Sequence, residues 1–473
     1  MQPRHISLIL LILAFFPLHL EAQTLTQVTK TGSNDRDLEP MVSDDGRYLA
    51  WKRSTPGNLN AILCVKDLSS NSLTTIKSAV GIISRACLSG DGQTLFYMYN
   101  GNIWSVPATG GLSCIVLQNS TTRTITEHVF STSHDGSRIC YATWNSGRAR
   151  LEVFDLKTRT AVDVTRNLTG TPTLLSGDIS GDGRFVVFTA RGQNRTDLWF
   201  AAADGTLIRR LHTGSTWVSP YNPRIDHHGT MCTFEVMMAR TYEIFSALTG
   251  GSIVYQTTRS SGSWNRGPMI SADGDRVIWF FSPTTAQQPS DVVMAYPEGS
   301  KQRQLTPFGN MGPNITPHSL HTLNGNGTVA AFSTTANHLG GNPELDYEIF
   351  LWKDALTTSG KAALGATISF HLEVPSKPNV AYAMRSALSR GNGLVIPGVG
   401  AIPLTPDPLF FLSGQARSIF RNYQGILDGS GRATAFVAIP NLKPLAGFTF
   451  FTSFITAAPS GISLFNPVKV TVQ

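Results

Sequence analysis

A single glycine-centred motif recurs seven times in this chain of 473 residues. The seven glycines are 46, 44, 47, 46, 45 and 53 residues apart, at Gly46, Gly92, Gly136, Gly183, Gly229, Gly274 and Gly327. A period of about 40 to 50 residues is typical of one four-stranded propeller blade. The repeat therefore predicts an all-β fold whose main body is a seven-bladed β-propeller.

The motif has the side chains of a tight turn. Glycine adopts positive φ without strain, and short polar side chains can bond the N–H groups of the turn. The residue before each glycine is Asp45, Asp91, Asp135, Asp182, His228, Asp273 or Asn326. Three residues before it stand Ser43, Ser89, Ser133, Ser180, Asp226, Ser271 and Asn324. We therefore predict the same turn in every copy.

The strand after each turn carries two apolar side chains on one face. Three residues past the glycine are Leu49, Leu95, Ile139, Val186, Cys232, Val277 and Ala330. Five residues past it, an aromatic residue stands in every copy: Trp51, Tyr97, Tyr141, Phe188, Phe234, Trp279 and Phe332. Alternate residues of a strand share a face, so both positions should pack against a neighbouring blade.

Third and fourth strands follow in most copies, for example Asp197–Phe200 and Ile208–Leu211. After the seventh copy no fourth strand is evident, and its counterpart is the stretch Thr24–Thr29. Closing the ring removes two sheet edges that would otherwise be free to pair with another chain. We predict that the N-terminal strand completes the last blade, and that the propeller spans residues 23–356.

The repeats Ser43–Trp51 and Ser180–Phe188 resemble the WD-like repeats of TolB-type propeller proteins. This resemblance implies a periplasmic or secreted propeller that binds other macromolecules through its central funnel or one ring face. The proline that usually follows the repeat serine is absent from all seven copies. Because of this difference, the membrane-translocation role of TolB is not expected of this chain.

A different pattern begins after the last repeat. Alternating runs at Thr367–Val374, Val380–Leu388, Ala433–Ile439 and Phe448–Ile455 are separated by turn clusters, among them Gly391–Gly393. Seven or eight short strands in about 110 residues are typical of a β-sandwich. We predict such a domain at residues 357–473.

The first 22 residues predict export. Arg4 and His5 precede an apolar run from Ile6 to Leu20, which at about 15 residues is shorter than the roughly 20 needed to span a membrane. We interpret residues 1–22 as a signal peptide, with an uncleaved anchor as the alternative. The mature chain should be secreted or periplasmic.

Charge and cysteines limit the partners. The net charge is +7, and Lys and Arg are scattered rather than clustered, so a nucleic acid partner is not expected. The five cysteines are odd in number and contain no C-x-x-C pair, which argues against a zinc site. Cys140 and Cys232 lie in apolar strand patterns and should be buried. We expect a monomer without a cofactor.

The sequence predicts no catalytic or metal-binding residues. It contains no G-x-S-x-G nucleophile elbow and no α/β segment for a peptidase domain. The histidines are expected to be structural or solvated, and the adjacent His227 and His228 should diverge within a turn. The acidic run Asn342, Glu344, Asp346 and Glu348 offers oxygen ligands for calcium, with an ordinary hairpin loop as the alternative.

The remaining candidate site is the funnel mouth, where residues enter each innermost strand ahead of the turn. These residues are Arg36, Glu39, Arg85, Glu127, His128, Tyr221, Arg266 and His318. A mixed ring of Arg, Tyr and carboxylate groups suits recognition of a protein, peptide or glycan. A solvated rim without a ligand is the simpler alternative. The sequence therefore favours an exported non-catalytic binding scaffold, with a carbohydrate-active lyase or hydrolase on the propeller axis as the alternative.

Overall fold

A computed structural model describes residues 24–32, 35–54, 61–77, 83–120, 123–145, 147–168, 173–192, 195–213, 218–238, 241–251, 253–260, 262–283, 291–306, 321–335, 337, 339, 341–391, 393–396, 400–459 and 461–473. The predicted signal peptide at residues 1–22 and His318 lie outside the described residues. In the described part of the chain, no helix has the length and hydropathy needed to cross a membrane.

The repeats form four-stranded antiparallel sheets, called blades here and numbered in chain order. Blade 1 consists of β2 (Arg36–Val42), β3 (Tyr48–Ser54), β4 (Ala61–Asp67) and β5 (Ser72–Lys77). Blade 2 consists of β6 (Ile83–Leu88), β7 (Thr94–Tyr99), β8 (Asn102–Pro107) and β9 (Cys114–Leu117). Blade 3 consists of β10 (Thr124–Thr132), β11 (Arg138–Asn145), β12 (Arg148–Asp155) and β13 (Thr160–Asp163).

The next three blades repeat this order. Blade 4 contains β14 (Thr173–Ile179), β15 (Phe185–Arg191), β16 (Thr196–Ala202) and β17 (Ile208–Thr213). Blade 5 contains β18 (Val218–Ile225), β19 (Met231–Met238), β20 (Thr241–Leu248) and β21 (Val254–Gln256). Blade 6 contains β22 (Trp264–Ile270), β23 (Val277–Ser282), β24 (Asp291–Ala295) and β25 (Arg303–Gln304). A single parallel bridge from Tyr242 to Trp264 connects blades 5 and 6.

Blade 7 is completed by the N-terminus. Its strands β26 (His321–Leu323), β27 (Val329–Thr334) and β28 (Glu348–Lys353) follow in sequence, and β1 (Thr24–Gln27) pairs antiparallel with β28. The pairing of Leu25 with Trp352 lies at the centre of this contact. The outer strand of the last blade therefore comes from residues Thr24–Gln27, as the sequence predicts.

The turn chemistry of the repeat is confirmed. All seven repeat glycines have φ between 67° and 72°, the left-handed region that glycine adopts most readily. In blade 1, the Ser43 hydroxyl donates to the Asp45 carboxylate at 2.6 Å and accepts from the backbone N–H of Tyr48 at 2.9 Å. Blades 2, 3 and 4 repeat this pair of hydrogen bonds with their own serine. The turn is therefore set locally, within the six residues from Ser43 to Tyr48 and their counterparts.

The predicted aromatic position forms the contact between blades. All seven aromatic rings are buried, none with more than 4% exposure. Among the described residues, seven apolar clusters each join two neighbouring blades, and the one containing Trp51 and Ile349 joins blades 1 and 7. Burying one such side chain contributes about 1.5 to 3 kcal/mol. A blade cannot cover this face alone, so the blades stabilise one another.

Backbone hydrogen bonds connect the turns around the axis. The position two residues before each repeat glycine is called the tip residue, and its members are Asp44, Gly90, His134, Gly181, His227, Ala272 and Gly325. Seven N–H to O=C bonds of 2.7 to 2.9 Å join each described turn to the next, and the last runs from Gly325 to Asp44. The tips therefore form a closed ring.

The C-terminal part contains two further antiparallel sheets. One contains β29 (Leu356–Ser359), β30 (Thr367–Glu373), β34 (Phe420–Arg421) and β36 (Arg432–Ala438). The other contains β31 (Ala381–Ala387), β35 (Gln424–Ile426), β37 (Thr449–Ala458), β38 (Gly461–Leu464) and β39 (Val468–Thr471). Residues of both sheets, among them Phe370 and Phe454, belong to one apolar cluster.

Smaller elements complete this part. A hairpin is formed by β32 (Val395–Ile396) and β33 (Gly400–Ala401). One short helix, α1 (Pro408–Ser413), begins at Asp407, whose carboxylate accepts the N–H of Phe410. A 3₁₀ turn lies at Lys443–Leu445. The sequence pattern did not indicate the helix, because six residues are too few to show a helical period.

Cysteine burial follows the prediction. Cys140 and Cys232 are fully buried in strands, and all five cysteines are free thiols. Burial raises the pKa of the Cys232 thiol to about 12, which keeps it protonated and unreactive. Cys114 is exposed.

Candidate functional site

The innermost strand of each blade is irregular where it lines the axis. The pairing of the innermost strand with the second strand shifts register in blades 1 to 6. Such bulges redirect side chains away from the regular alternation. Glu39 and Asn222 stand at two of them with φ of 55° and 48°, a region that costs energy for residues other than glycine.

These strands enclose an axial cavity of about 500 Å³, a volume within the range of small-ligand sites. Six of the eight predicted funnel residues line it: Glu39, Arg85, Glu127, His128, Tyr221 and Arg266. Arg36 does not line it. Its guanidinium lies 5.8 Å from the ring centroid of Tyr347 on the exposed surface. The funnel prediction therefore brings together residues of blades 1, 2, 3, 5 and 6.

Further polar residues line the cavity that the sequence analysis did not single out. They are Ser176, Asp178, Asn222, Arg224, Glu235 and Tyr242. Glu235 follows Phe234, the aromatic residue that recurs in every repeat. At the same repeat position, blade 6 has the apolar residue Phe280 and blade 2 has Met98. A charged residue at a repeat position that is apolar in these other blades is the sequence signal that points to Glu235.

Glu235 connects blades 5 and 6 at the cavity wall. Its buried carboxylate accepts the backbone N–H of Gly267 at 2.7 Å and the amide of Asn222 at 2.8 Å. The Arg266 guanidinium lies 3.5 Å away and also stacks over Tyr242, 4.3 Å from the ring centroid. Burial raises the pKa of Glu235, and Arg266 opposes that rise. The guanidinium of Arg266 is therefore already engaged by Glu235 and Tyr242.

The other charged groups differ in how they are neutralised. Glu39 pairs with Lys52 at 2.6 Å, and Arg224 lies 4.0 Å from Asp178, a carboxyl whose pKa is raised by burial. Arg85 has no ion-pair partner among the described residues, and it is half-buried at the cavity wall. Glu127 and His128 are exposed at the rim. Among the described arginines that line the cavity, Arg85 is thus the one without an ion-pair partner, and its donors remain available to a ligand.

Two side chains of the acidic run near the seventh repeat make hydrogen bonds within the protein. Glu348 accepts the hydroxyl of Thr31 at 2.6 Å and the hydroxyl of Thr29, both from the N-terminal segment. The Asn342 amide donates to the carbonyl of Asp346 at 2.7 Å and so closes its own loop. Glu344 is exposed. The hairpin-loop alternative fits these contacts, because Glu348 and Asn342 make separate hydrogen bonds in different parts of the loop region.

The rings of His227 and His228 differ from the expectation that these adjacent side chains diverge. The ring centroids of His227 and His228 are 4.7 Å apart, so the expected divergence is wrong. His134, from a different blade, lies 5.4 Å from His227 and bonds the Asp44 carboxylate at 2.5 Å. The bond to Asp44 raises the pKa of His134, whereas burial lowers the pKa of His227. Sequence spacing gave no signal of this cluster, which exists only through ring closure.

Comparison with known proteins gives the fold. Among solved structures, an oligogalacturonate lyase in complex with manganese is 16% identical, with a TM-score of 0.54 over 70% of this chain and 92% of that chain. An oligogalacturonate lyase from Vibrio parahaemolyticus is 12% identical, with a TM-score of 0.54 over 70% of this chain and 93% of that one. TolB from Acinetobacter baumannii is 15% identical, with a TM-score of 0.37 over 65% and 80%.

These likenesses confirm the predicted β-propeller, and at such identities they carry no function. No protein-family model matches the chain, and no curated protein matches it.

Proposed function

We propose that this protein is an exported binding scaffold whose axial cavity takes up a carboxylate-bearing part of a partner, such as an acidic glycan or peptide. The observation that carries the proposal is Arg85, a cavity guanidinium without an ion-pair partner among the described residues. A guanidinium binds a carboxylate through two parallel hydrogen bonds, a geometry that lysine does not offer. The net charge of +7 also favours the approach of an anion.

The surroundings of Arg85 support specific recognition. Tyr221 lines the same cavity and offers an aromatic face for a sugar ring or an apolar side chain. The Tyr242 ring, which Arg266 covers, completes the wall beside it. Glu235 and Asn222 are held by hydrogen bonds to each other, so part of the wall is preorganised. A preformed wall reduces the entropy lost when a ligand binds.

A panel of ligands tests the proposal. Calorimetry with the mature chain would compare acidic oligosaccharides and acidic peptides with their neutral or amidated counterparts. We expect the acidic member of one class to bind and Arg85→Met to weaken it roughly 10- to 100-fold, since a hydrogen bond to a charged group contributes about 1.5 to 3 kcal/mol. Arg417→Ala, at an exposed position away from the cavity, is the matched control and should leave affinity unchanged.

Two results would count against the binding proposal: equal affinity of Arg85→Met and the wild type, or no preference for the acidic ligand in either class.

The enzymatic alternative, a carbohydrate-active lyase or hydrolase, is supported by the fold shared with oligogalacturonate lyases. Shortened products in the oligosaccharide arm, abolished by Arg85→Met, would favour that alternative over a non-catalytic scaffold.

We also infer the organisation around the propeller. A signal peptide at residues 1–22 would deliver the chain to the periplasm or medium, and N-terminal sequencing of exported protein should give Gln23 as the first residue. Residues 357–473 would be a separate β-sandwich that serves as spacer, attachment or second binding module. Apart from Ala355 and Leu356, the buried apolar cluster shared by its two sheets lies within these residues, which supports the division to within two residues.

A further inference from the structure

The tip residues alternate in size around the axis. Blades 1, 3 and 5 contribute Asp44, His134 and His227, whereas the other four blades contribute Gly90, Gly181, Ala272 and Gly325. The closed ring of hydrogen bonds holds all seven tips at one level. The three side chains with metal-binding atoms therefore approach one another from alternate blades.

The glycines provide the space for this approach. A Cβ atom at Gly90 would lie 2.6 Å from both the Asp44 Oδ2 and the His134 Nδ1 atoms. A Cβ atom at Gly181 would lie 2.3 Å from the His227 Nδ1 atom. Neither glycine has a positive φ, so the backbone conformation does not require glycine at these positions. Glycine at positions 90 and 181 instead leaves space for the ligand atoms of Asp44, His134 and His227.

The three groups have the composition of a transition-metal site. One ligand atom from each residue lies within 4.8 Å of the others, and this is the metal-type cluster found among the described residues. Imidazole and carboxylate ligands suit zinc and related first-row divalent ions, and three protein ligands leave a position for water or a ligand. The side chains of Asp44 and His134 are 28% and 36% exposed, so an ion can reach them from solvent.

We propose that Asp44, His134 and His227 form a binding site for one divalent transition-metal ion at the ring of tips. The ion would tie together three blades that are far apart in sequence, and it would occupy a position at the end of the innermost strands, two residues beyond the cavity-lining Val42 and Thr132. This site goes beyond the proposed carboxylate binding, and neither proposal requires the other.

Equilibrium dialysis tests the site directly. The mature chain would carry Cys114→Ser, because that exposed thiol is an adventitious metal ligand. After treatment with a chelator, we expect it to bind one Zn²⁺ per chain and to unfold at a higher temperature with Zn²⁺ than without, because an ion that binds only the folded state stabilises it. Co²⁺ in place of Zn²⁺ should give a visible spectrum typical of nitrogen and oxygen ligands.

Variants separate this site from other histidines. His134→Asn and His227→Asn should each weaken Zn²⁺ binding by more than the roughly 10- to 100-fold typical of outer-shell changes. Gly90→Ala keeps all three ligands and crowds two of them, so it should also weaken binding. His228→Asn, adjacent in sequence, and Arg85→Met, in the cavity, are the controls that should retain the ion.

A wild type that binds no Zn²⁺ and shows no rise in unfolding temperature would overturn the proposal. So would His134→Asn and His227→Asn proteins that bind Zn²⁺ like the wild type. If either histidine variant fails to fold, the comparison of Gly90→Ala with His228→Asn decides, because equal Zn²⁺ affinity in these two would place the ion elsewhere.

Discussion

At the scale of single residues, the same turn position is electrostatically different from blade to blade. Asp182 and Asp273 both precede a repeat glycine. Burial acts to raise the pKa of Asp182, but hydrogen bonds from Ser180 and Arg184 lower it overall. Burial and the negative charge of Asp275 raise the pKa of Asp273 to about 6. The charge at this repeat position therefore stabilises the fold in blade 4, where Asp182 stands, and destabilises it in blade 6, where Asp273 stands.

The two aspartates should respond oppositely to pH. Between about pH 4 and 6 the folded chain holds a proton on Asp273 that the unfolded chain has lost, so stability falls as pH rises through this window. Asp273→Asn removes this penalty, and Asn326 occupies the same turn position in blade 7. We expect Asp273→Asn to raise the free energy of unfolding by about 1 to 3 kcal/mol at pH 7 and by little at pH 4.

Asp182→Asn is the matched comparison. The lowered pKa of Asp182 means that its charge stabilises the fold above the unfolded-state pKa of about 3.9, and that this contribution is lost as pH falls below it. This variant should therefore be less stable than the wild type at pH 7, with the difference disappearing in acid. Urea unfolding of Asp273→Asn at pH 4 and 7, and of Asp182→Asn at pH 7 and at a pH well below about 3.9, measures the effect. Equal pH profiles of the two variants would contradict the assigned pKa directions.

At the scale of elements, the N-terminal segment is fixed by more than strand pairing. The backbone N–H of Thr31 donates to the Glu348 carboxylate at 2.5 Å, and the Thr29 hydroxyl accepts the N–H of Ile349 at 2.8 Å. Glu348 is buried, with 1% exposure. A buried carboxylate is tolerated only when donors surround it. The segment before blade 1 thus supplies the donors that blade 7 requires.

Removal of this segment should destabilise the whole ring. A chain beginning at Asp35 loses β1 and both threonines, which removes three donors from Glu348 and leaves the edge of β28 unpaired. We expect its thermal midpoint to fall by several degrees or more, since roughly 1 kcal/mol already moves the midpoint by a few degrees. An unchanged midpoint measured by circular dichroism would show that β1 does not hold the ring closed.

A smaller change tests the hydrogen bonds alone. The double variant Thr29→Val, Thr31→Val keeps β1 and removes two hydroxyl donors from Glu348, at an expected cost of about 1 to 3 kcal/mol. Thr160→Val, on the exposed outer strand of blade 3, is the control and should change stability by about 0.5 kcal/mol or less.

At the scale of the whole molecule, the C-terminal sheets contact the turn of blade 6. Arg390 pairs with Asp275 at 3.0 Å, and Arg276 donates to the carbonyl of Pro467 at 3.0 Å. Both guanidiniums face Tyr296, at 3.7 and 4.0 Å from its ring centroid. Lys469 donates to the carbonyl of Asp273 at 2.8 Å. The contacts are mainly polar, so the relative position of the two parts depends on a few charged groups.

Arg390 should control that contact. Arg390→Ala removes one of the two cations beside Asp275 and the stacking on Tyr296. This should weaken the contact between the propeller and the C-terminal sheets more than it weakens the core of the propeller or of those sheets. We expect thermal unfolding to broaden or split into two transitions, and proteolysis near residue 356 to become faster. Arg417→Ala is the exposed control. A single unchanged transition in Arg390→Ala would mean that this contact contributes little.

The sequence by itself determined whatever depends on a few neighbouring residues. Turn geometry follows from Ser, Asp and Gly within four residues, and the buried face follows from the period of two after Gly46 and its counterparts. The regular spacing then gave the propeller, because identical units with one uncovered face must pack side by side.

Only the tertiary structure decided which distant side chains meet. Asp44 and His134 are 90 residues apart and touch because ring closure brings alternate turns to one axis. The bulges that turn Glu39 and Asn222 into the cavity likewise depend on pairing with a second strand rather than on local propensity. Local chemistry therefore defines the blades, and the closed geometry of the ring defines the sites.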